Sequence, residues 1–594
     1  MIKKLLSINL ILIALFTFNS YSQQDEITVE ELKAHVMFLA SDSLKGRKPG
    51  TQGGFIAADY VRAQLIENDI ELIADNGFQY FDVVTGVELG GSNYFQHNDL
   101  SFKPGDDYIP LAFTENAKAE APAVFAGYGL VIDSDSLQWD SYENISADGK
   151  WVIVLLGDPE YHNRSSKFEE YASIRQKVLN ARDRNAAGII LVAGENYSSD
   201  DVLMPLRYDR IQSNAGLPVV QASRKTADRI IELQGMKITD IEKKIISGNE
   251  PVYFEIDGDI SIQTDVRELT VKTQNVVGML PGNDPSLKNE YIVLGGHYDH
   301  LGMGGFGSGS RKPDTIAVHN GADDNGSGTA SIIEIIEKAS ANRDKFKRSI
   351  LFVAFGAEEM GIQGSNYFAE HPLVDLKDIK FMLNIDMIGR VNPGEDPITI
   401  YGTGTAEGLE DLLAEITGKD EDSFRFSPEG FGPSDHASFY SRDIPVLSFF
   451  GVPHDDYHTP EDDWDKLNYS GIKKTSGLVY DIMLDLANRE QNLAFKEAGP
   501  KSRPGGNRYN LKVTLGIMPD HVADTEGLKI AAVMEGRPAA RAGMEKGDVI
   551  VAMDGKAVKD IYDYMSRLKT YRPGDRVNVD VMRGGKKRIL IVEF

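Results

Sequence analysis

The 594-residue chain contains no cysteine. Disulfides, thiol nucleophiles, CxxC redox pairs and thiolate metal sites are therefore excluded, so any metal must rest on histidine and carboxylate. A lipoprotein anchor is excluded for the same reason. Positive charge is also short, with 63 Lys+Arg against 90 Asp+Glu and a net charge of −27. A surface of that sign repels polyanions, which excludes nucleic acid as a general partner. The shortage is uneven, because residues 501–594 hold 18 Lys+Arg against 12 Asp+Glu, so the composition changes near residue 500. Long apolar runs are missing beyond the first residues. Met1–Ser22 combines Lys3 and Lys4, an apolar run from Leu5 to Phe18, and small Ser20 and Ser22 at a cleavage position. This is the pattern of a secretory signal. The run contains Ser7 and Asn9 and falls short of the ~20 apolar residues that a membrane span needs. The mature protein is expected to be exported, periplasmic or extracellular, without a membrane anchor.

What is present is an ordinary globular composition, 41% hydrophobic and 26% charged, in a length that suits roughly three to four domains. Apolar positions at helical spacing (Leu32, Val36, Leu39; Ala58, Val61, Leu65) predict two helices between residues 28 and 75, broken at Gly46-Arg47-Lys48-Pro49-Gly50. Short β runs at Ala123–Tyr128, Trp151–Leu156 and Gly188–Val192, with a helix over Ile174–Ala187, predict a β-rich insert at 110–262. Its segments SYENISADGKWVIVLLGD, KVLNARDRNAAGIILV and LPVVQAS resemble the protease-associated (PA) domain, which carries no catalytic groups of its own. Apolar strands at Tyr291–Leu294, Ile350–Phe355, Phe381–Ile385, Ile398–Tyr401 and Pro445–Phe450 alternate with amphipathic helices. They predict an α/β domain with a mixed, mostly parallel sheet covered by helices on both faces, built from residues 23–109 and 263–490. Residues 491–508 are polar and rich in Gly and Pro and read as a linker. Beyond it, residues 509–594 resemble a PDZ domain through GDVI and MDG, and the turn Leu515-Gly516-Ile517 either receives a peptide C-terminus by strand addition or packs on the peptidase without binding a peptide.

In open α/β sheets, sites form at the carboxyl ends of strands. His297 closes the run YIVLGGH, and Asp299, two residues on, shares its face in extended chain and can hold one ring nitrogen. Asp323-Asp324 lie in the tight turn GADDNGSG. Glu358-Glu359 follow an apolar strand, where their side chains diverge in extended chain, so that one can ligate a metal while the other faces water. Asp386 ends another buried strand, where an unpaired carboxylate is costly. His458 follows in YHTPED. The five candidate ligands are thus His297, Asp324, Glu359, Asp386 and His458. Two imidazoles and three carboxylates favour zinc, with cobalt or manganese as alternatives. Five ligands exceed one tetrahedral ion and suit two ions that share a carboxylate. Three carboxylates and one hydroxide balance two Zn²⁺, and Glu358 leaves a single negative charge beside them.

The ordered motifs GGHYDH, GADDNGSG, AFGAEE, LNIDMIG and YHTPED resemble the two-zinc aminopeptidases of the M28 peptidase family. The resemblance implies that Asp324 and a water or hydroxide bridge two zinc ions, with His297 and Asp386 completing one and Glu359 and His458 the other. It further implies that Glu358 is the general base, that Tyr457 stabilises the oxyanion, that a cis peptide follows Asp324, and that peptides with a free N-terminus are the substrates. Carboxypeptidase or glutaminyl cyclase-like chemistry on the same fold, and peptide binding on an inactive scaffold, are the alternative functions. The loop bearing Phe424, Phe426 and Phe431, ahead of Ser434-Asp435-His436, can wall an apolar pocket or simply pack.

Gly302-Met303-Gly304-Gly305-Phe306-Gly307 fits GxGxxG, but no helix follows at once, and the match is read as accidental. There is no HExxH. His300, His319, His436 and His454 are read as loop or supporting residues.

Overall fold

Strands that are apolar at successive positions need cover on both faces, and the main sheet has it. In chain order its principal strands are β1 (Val266–Leu280), β2 (Tyr291–His297), β3 (Ser349–Phe355), β4 (Ile379–Asp386), β5 (Ile398–Tyr401), β6 (Phe424–Ser427) and β7 (Val446–Phe450). They run across the sheet as β1-β3-β2-β4-β7-β5-β6. The central neighbours β3/β2, β2/β4 and β4/β7 are parallel, whereas β1/β3 and β7/β5 are antiparallel. One face packs Ile292, Leu294, Phe352, Leu383 and Phe449 against helices α1 (Val29–Leu39), α2 (Gln52–Glu67), α3 (Gly328–Ala341) and α4 (Tyr469–Asn488). The opposite face packs Val293, Val353, Met382 and Val446 against Phe368 and Phe439. The two predicted N-terminal helices are α1 and α2, each started by a threonine, Thr28 or Thr51, whose hydroxyl accepts a backbone N–H three residues on.

The structure, a computed structural model, describes residues 26–594 apart from 135–136, 164, 209–214, 306, 392–396, 419–423, 502–512, 521–526, 534–535, 559–563, 565–566 and 569. The expected signal, Met1–Ser22, lies outside the described residues. The chain divides into two units, Met1–Phe81 with Thr273–Gly506, and Asp82–Lys272 with Asn507–Phe594. In the second unit, an eight-stranded sheet contains the predicted strands as Lys118–Ala126, Trp151–Leu155 and Gly188–Val192, with a helix at Ile174–Arg182. It also takes in Tyr94–His97, Leu100–Phe102 and Tyr108–Pro110, ahead of the boundary expected at 110. These strands are only three or four residues long, too short for periodicity to reveal. A separate six-stranded sheet forms the C-terminal part, where Ile517–Asp520 pairs with Leu528–Val533.

The expected linker is only partly free of the first unit. Ala494 and Ala498 accept the backbone N–H of Glu407 and Gly430, and Lys496 N–H donates to Thr405. The Tyr440 hydroxyl donates to the Gly499 carbonyl at 2.8 Å. Residues 494–499 therefore lie along the loops beside β5 and β6, and Phe495 packs near Tyr440 with ring centroids 5.7 Å apart. Polar composition hid this, because backbone pairing needs no particular side chain.

Candidate metal centre

The parallel strands β2 and β4 end side by side, and they bring His297 and Asp386 together. His297 Nε2 lies 3.3 Å from Asp386 Oδ1 and 3.4 Å from Asp324 Oδ1. The other oxygen of Asp324, Oδ2, lies 3.1 Å from His458 Nε2, which in turn is 3.2 Å from Glu359 Oε2. All five expected ligands therefore converge, in two groups that share Asp324. Asp324 sits in a tight turn, Ala322–Ser327, ahead of α3, and the peptide bond from Asp324 to Asn325 is cis. This turn does not cap the helix with its acids. The Asp462 carboxylate accepts the backbone N–H of Asp323 and Asp324 at 2.9 and 3.1 Å, while Asp323 accepts from the Ser327 hydroxyl and the Gly389 N–H.

Glu358 and Glu359 depart from the extended chain expected of them. A turn opened by left-handed Ala357 (φ 60°) carries both into the site. Glu358 Oε2 stands 4.0 Å from His297 Nε2, and Glu359 faces His458. Asp299 also differs from expectation. His297 Nδ1 is nearest the Asp299 backbone carbonyl, at 3.2 Å, with the carboxylate at 3.8 Å. That carboxylate instead accepts the backbone N–H of Glu358 at 3.0 Å, so Asp299 ties the His297 segment to the glutamate turn. Tyr457 stacks on His458 with ring centroids 3.8 Å apart. Burial and the nearby Asp324, Glu359, Glu358 and Asp386 hold its hydroxyl neutral, with a pKa well above the usual phenol range.

His300, read from the sequence as a loop or supporting residue, brings a third imidazole to the site. His300 is buried with Nδ1 2.7 Å from Glu359 Oε1 and 3.9 Å from Asp324 Oδ2. His300, Asp324 and Glu359 thus form a second group of potential donors beside His297, Asp324 and Asp386. The signal for it was GGHYDH, where a second histidine follows Asp299 directly. His454, by contrast, faces Asp323 at 3.2 Å, and His319 meets Ser310 and the Ala317 carbonyl. His436 is buried, and the desolvation lowers its pKa to about 3. The aromatic loop separates: Phe424 is in the core, Phe431 is half-buried against the opposite face, and Phe426 is exposed.

The electrostatics suit a cation. Burial and the acids Glu359, Asp435 and Asp386, opposed by His297, push Glu358 well above the usual carboxylate range. Burial also raises Asp299 and Asp435 to about 7. Against the cost of burial, Glu359 and Asp324 hold the His458 imidazole well above its usual range. A cluster of carboxylates this dense, out of water, is stable only with positive charge among them. Oxygen and imidazole donors without a thiolate match zinc.

Residues 275–483 match the model of Peptidase family M28, and residues 513–593 match that of a PDZ domain. The chain is 24% identical to Aminopeptidase YwaD of Bacillus subtilis (strain 168) over 464 residues, 76% of this chain and 83% of that protein. It is 29% identical to Leucine aminopeptidase 1 of Ajellomyces capsulatus (strain H88) over 226 residues, 35% of this chain and 56% of the relative. The chain therefore spans little more than half the length of that second relative. Among solved structures, BSAP, a zinc aminopeptidase from Bacillus subtilis, aligns at 18% identity with a TM-score of 0.43, covering 79% of this chain and 97% of that one.

Proposed function

We propose, from the match of residues 275–483 to Peptidase family M28 and of residues 513–593 to a PDZ domain, that the chain is a two-zinc exopeptidase removing N-terminal residues from peptides. The observation that carries this reading is the division of Asp324, one oxygen toward His297 and the other toward His458. His297, Asp324 and Asp386 would hold one ion, and Asp324, Glu359 and His458 the other. Zinc held there supplies a water acidified toward a pKa of about 7 and a Lewis acid for the scissile carbonyl.

The remaining work falls to this chain's own groups. Glu358 takes the proton of the attacking water and returns it to the leaving amine. Asp299 accepts its backbone N–H, and the Glu358 carboxylate stands 4.0 Å from His297 Nε2. Tyr457, kept neutral, is a hydrogen-bond donor for the developing oxyanion. The charge left over by Glu358 favours the α-ammonium of a free N-terminus, and relatives that are themselves called aminopeptidases support the same choice. In this reading the insert is a PA-type lid or spacer without catalytic groups, and Leu515-Gly516-Ile517 receives a peptide C-terminus. Export rests on Met1–Ser22. Among the described residues, no helix is long and apolar enough to cross a membrane.

The test is release of amino acids from aminoacyl-anilides by the zinc-loaded protein, with loss of release on chelation. Zinc-loaded protein that leaves every aminoacyl-anilide intact while trimming peptide C-termini would replace this reading with a carboxypeptidase.

A further inference from the structure

Arg47 comes from the N-terminal GRKPG turn, about 250 residues ahead of the first expected ligand, yet its side chain ends beside the candidate metal centre. It is 1% exposed. Each of its side-chain hydrogen bonds goes to a backbone carbonyl: Nε to Tyr298 at 2.8 Å, Nη1 to Leu39 and to Asn320 at 2.6 Å each, and Nη2 to Gly321 at 2.9 Å. A buried guanidinium with only neutral partners is costly unless negative charge lies nearby. That charge comes from Asp324, Asp299, Asp462 and Glu359, all in or around the site. Burial lowers the Arg47 pKa only to about 10, so the group stays cationic at neutral pH.

The position of these carbonyls matters. Tyr298 lies between His297 and Asp299, and Asn320-Gly321 lead directly into Asp323-Asp324. One rigid fork therefore bonds both ligand-bearing segments at once, a geometry that the planar guanidinium has and a lysine ammonium lacks. The turn that delivers it is built for close approach. Lys45, Gly46 and Arg47 all have left-handed backbone, with φ of 46°, 69° and 48°. The Gly46 carbonyl accepts the Gly302 N–H at 3.0 Å, and the Arg47 carbonyl accepts the His300 N–H at 3.4 Å. A Cβ on Gly46 would fall 2.4 Å from the Gly302 oxygen. Three left-handed residues in succession, two of them not glycine, persist only where surrounding contacts enforce them.

We propose that Arg47 is a positioning residue of the metal centre: it sets the spacing between the His297 and Asp324 segments and keeps a permanent positive charge behind their carboxylates. This rests on the two-metal reading above. Arg47→Met removes the fork and charge at similar volume, and Arg47→Lys keeps the charge without the fork. The measurements are Co²⁺ and Zn²⁺ titration by calorimetry, the visible spectrum of the Co²⁺-loaded protein, and kcat and KM separately, with circular dichroism to report the fold.

A folded Arg47→Met chain is expected to bind metal ~10- to 100-fold more weakly, the range for loss of a group that orients ligands. Its Co²⁺ spectrum should shift and its kcat fall with KM little changed. Arg47→Lys is expected to recover part of the affinity but not the wild-type spectrum. Wild-type metal affinity and spectrum in either folded variant would overturn the proposal, as would thermal destabilisation with metal binding intact, since that is a structural role alone. Should Arg47→Met not fold, Arg47→Lys decides by the same criteria. A wild-type chain that takes up no metal overturns the two-metal reading itself, and this inference with it.

Discussion

The carbonyl oxygen of Gly309 lies 3.1 Å from Nδ1 of His458. A carbonyl only accepts, so this partner takes the Nδ1–H hydrogen bond and turns Nε2 toward Asp324 and Glu359. The same loop grips the His458 segment again, for the Arg311 N–H donates to the His458 carbonyl at 2.9 Å. The Arg311 guanidinium also donates to the carbonyls of His454, Asp455 and Tyr457. His458 itself is left-handed, with φ 56°, a conformation that a non-glycine residue keeps only under restraint. On the two-metal proposal, Arg311→Ala is therefore expected to lower metal content from two ions per chain toward one, with the ion at His297 retained. Elemental analysis after dialysis checks this. Two tightly held ions in the variant would mean that the loop does not position His458.

Glu358→Gln preserves volume and one carbonyl oxygen but removes the proposed base. Both metals should remain, and kcat should fall by roughly 10²- to 10⁴-fold, the usual contribution of general base catalysis. Steady-state kinetics on a metal-loaded, metal-counted sample is the measurement. Unchanged turnover would dismiss Glu358 from the role.

Asp324→Ala removes the one carboxylate that both groups share. Loss of both ions is expected rather than of one, together with loss of activity. Retention of a single ion at full affinity would indicate two independent sites.

Lys177, in the insert, is fully buried and donates to the carbonyls of Tyr128 and Gly157. Burial lowers its pKa from 10.5 to about 7. Between these values the unfolded chain binds a proton that the folded chain does not, so this residue's contribution to stability rises with pH from about 7 upward and is flat below. The stability of wild type relative to Lys177→Met should therefore rise from pH 7 to 9.5, at up to ~1.4 kcal/mol per pH unit. Denaturant unfolding of the full chain at several pH values reads it. A pH-independent difference would count against a neutral buried lysine.

Phe424 packs in the core, with Lys474 over its ring at 5.8 Å. Phe424→Ala should cost about 3–5 kcal/mol of stability and leave the preference among leucine, lysine and aspartate substrates unchanged. A shifted preference at unchanged thermal midpoint would return this side chain to a substrate pocket.

How far the site could be read depends on where each residue lies. His297 and Asp386 are the last residues of buried strands, and an apolar run that stops at an imidazole or a carboxylate is visible in one dimension. Asp324 and His458 were legible through dense local motifs. Glu358 and Glu359 were found, but their geometry was not, since the left-handed Ala357 leaves no signature in its neighbours. Phe424, Phe426 and Phe431 looked alike, and only packing separated them. The insert began earlier than its periodicity implied, because its first strands are too short to show a period.

By itself the amino-acid order determined the α/β class, the five candidate ligands and the exclusion of thiolate chemistry, because burial on both faces of a sheet demands strands apolar at successive positions, two of the ligands end such strands and the others stand in dense local motifs. Only tertiary structure decided which oxygen of Asp324 meets which imidazole, that His300 reaches Glu359, and that Arg47, Gly309, Arg311 and Asp462 hold the ligand segments in place. Those supports act through main-chain carbonyls and N–H groups, which every residue type but proline supplies in full. A hydrogen bond of that kind, spanning hundreds of residues, has no sequence of its own.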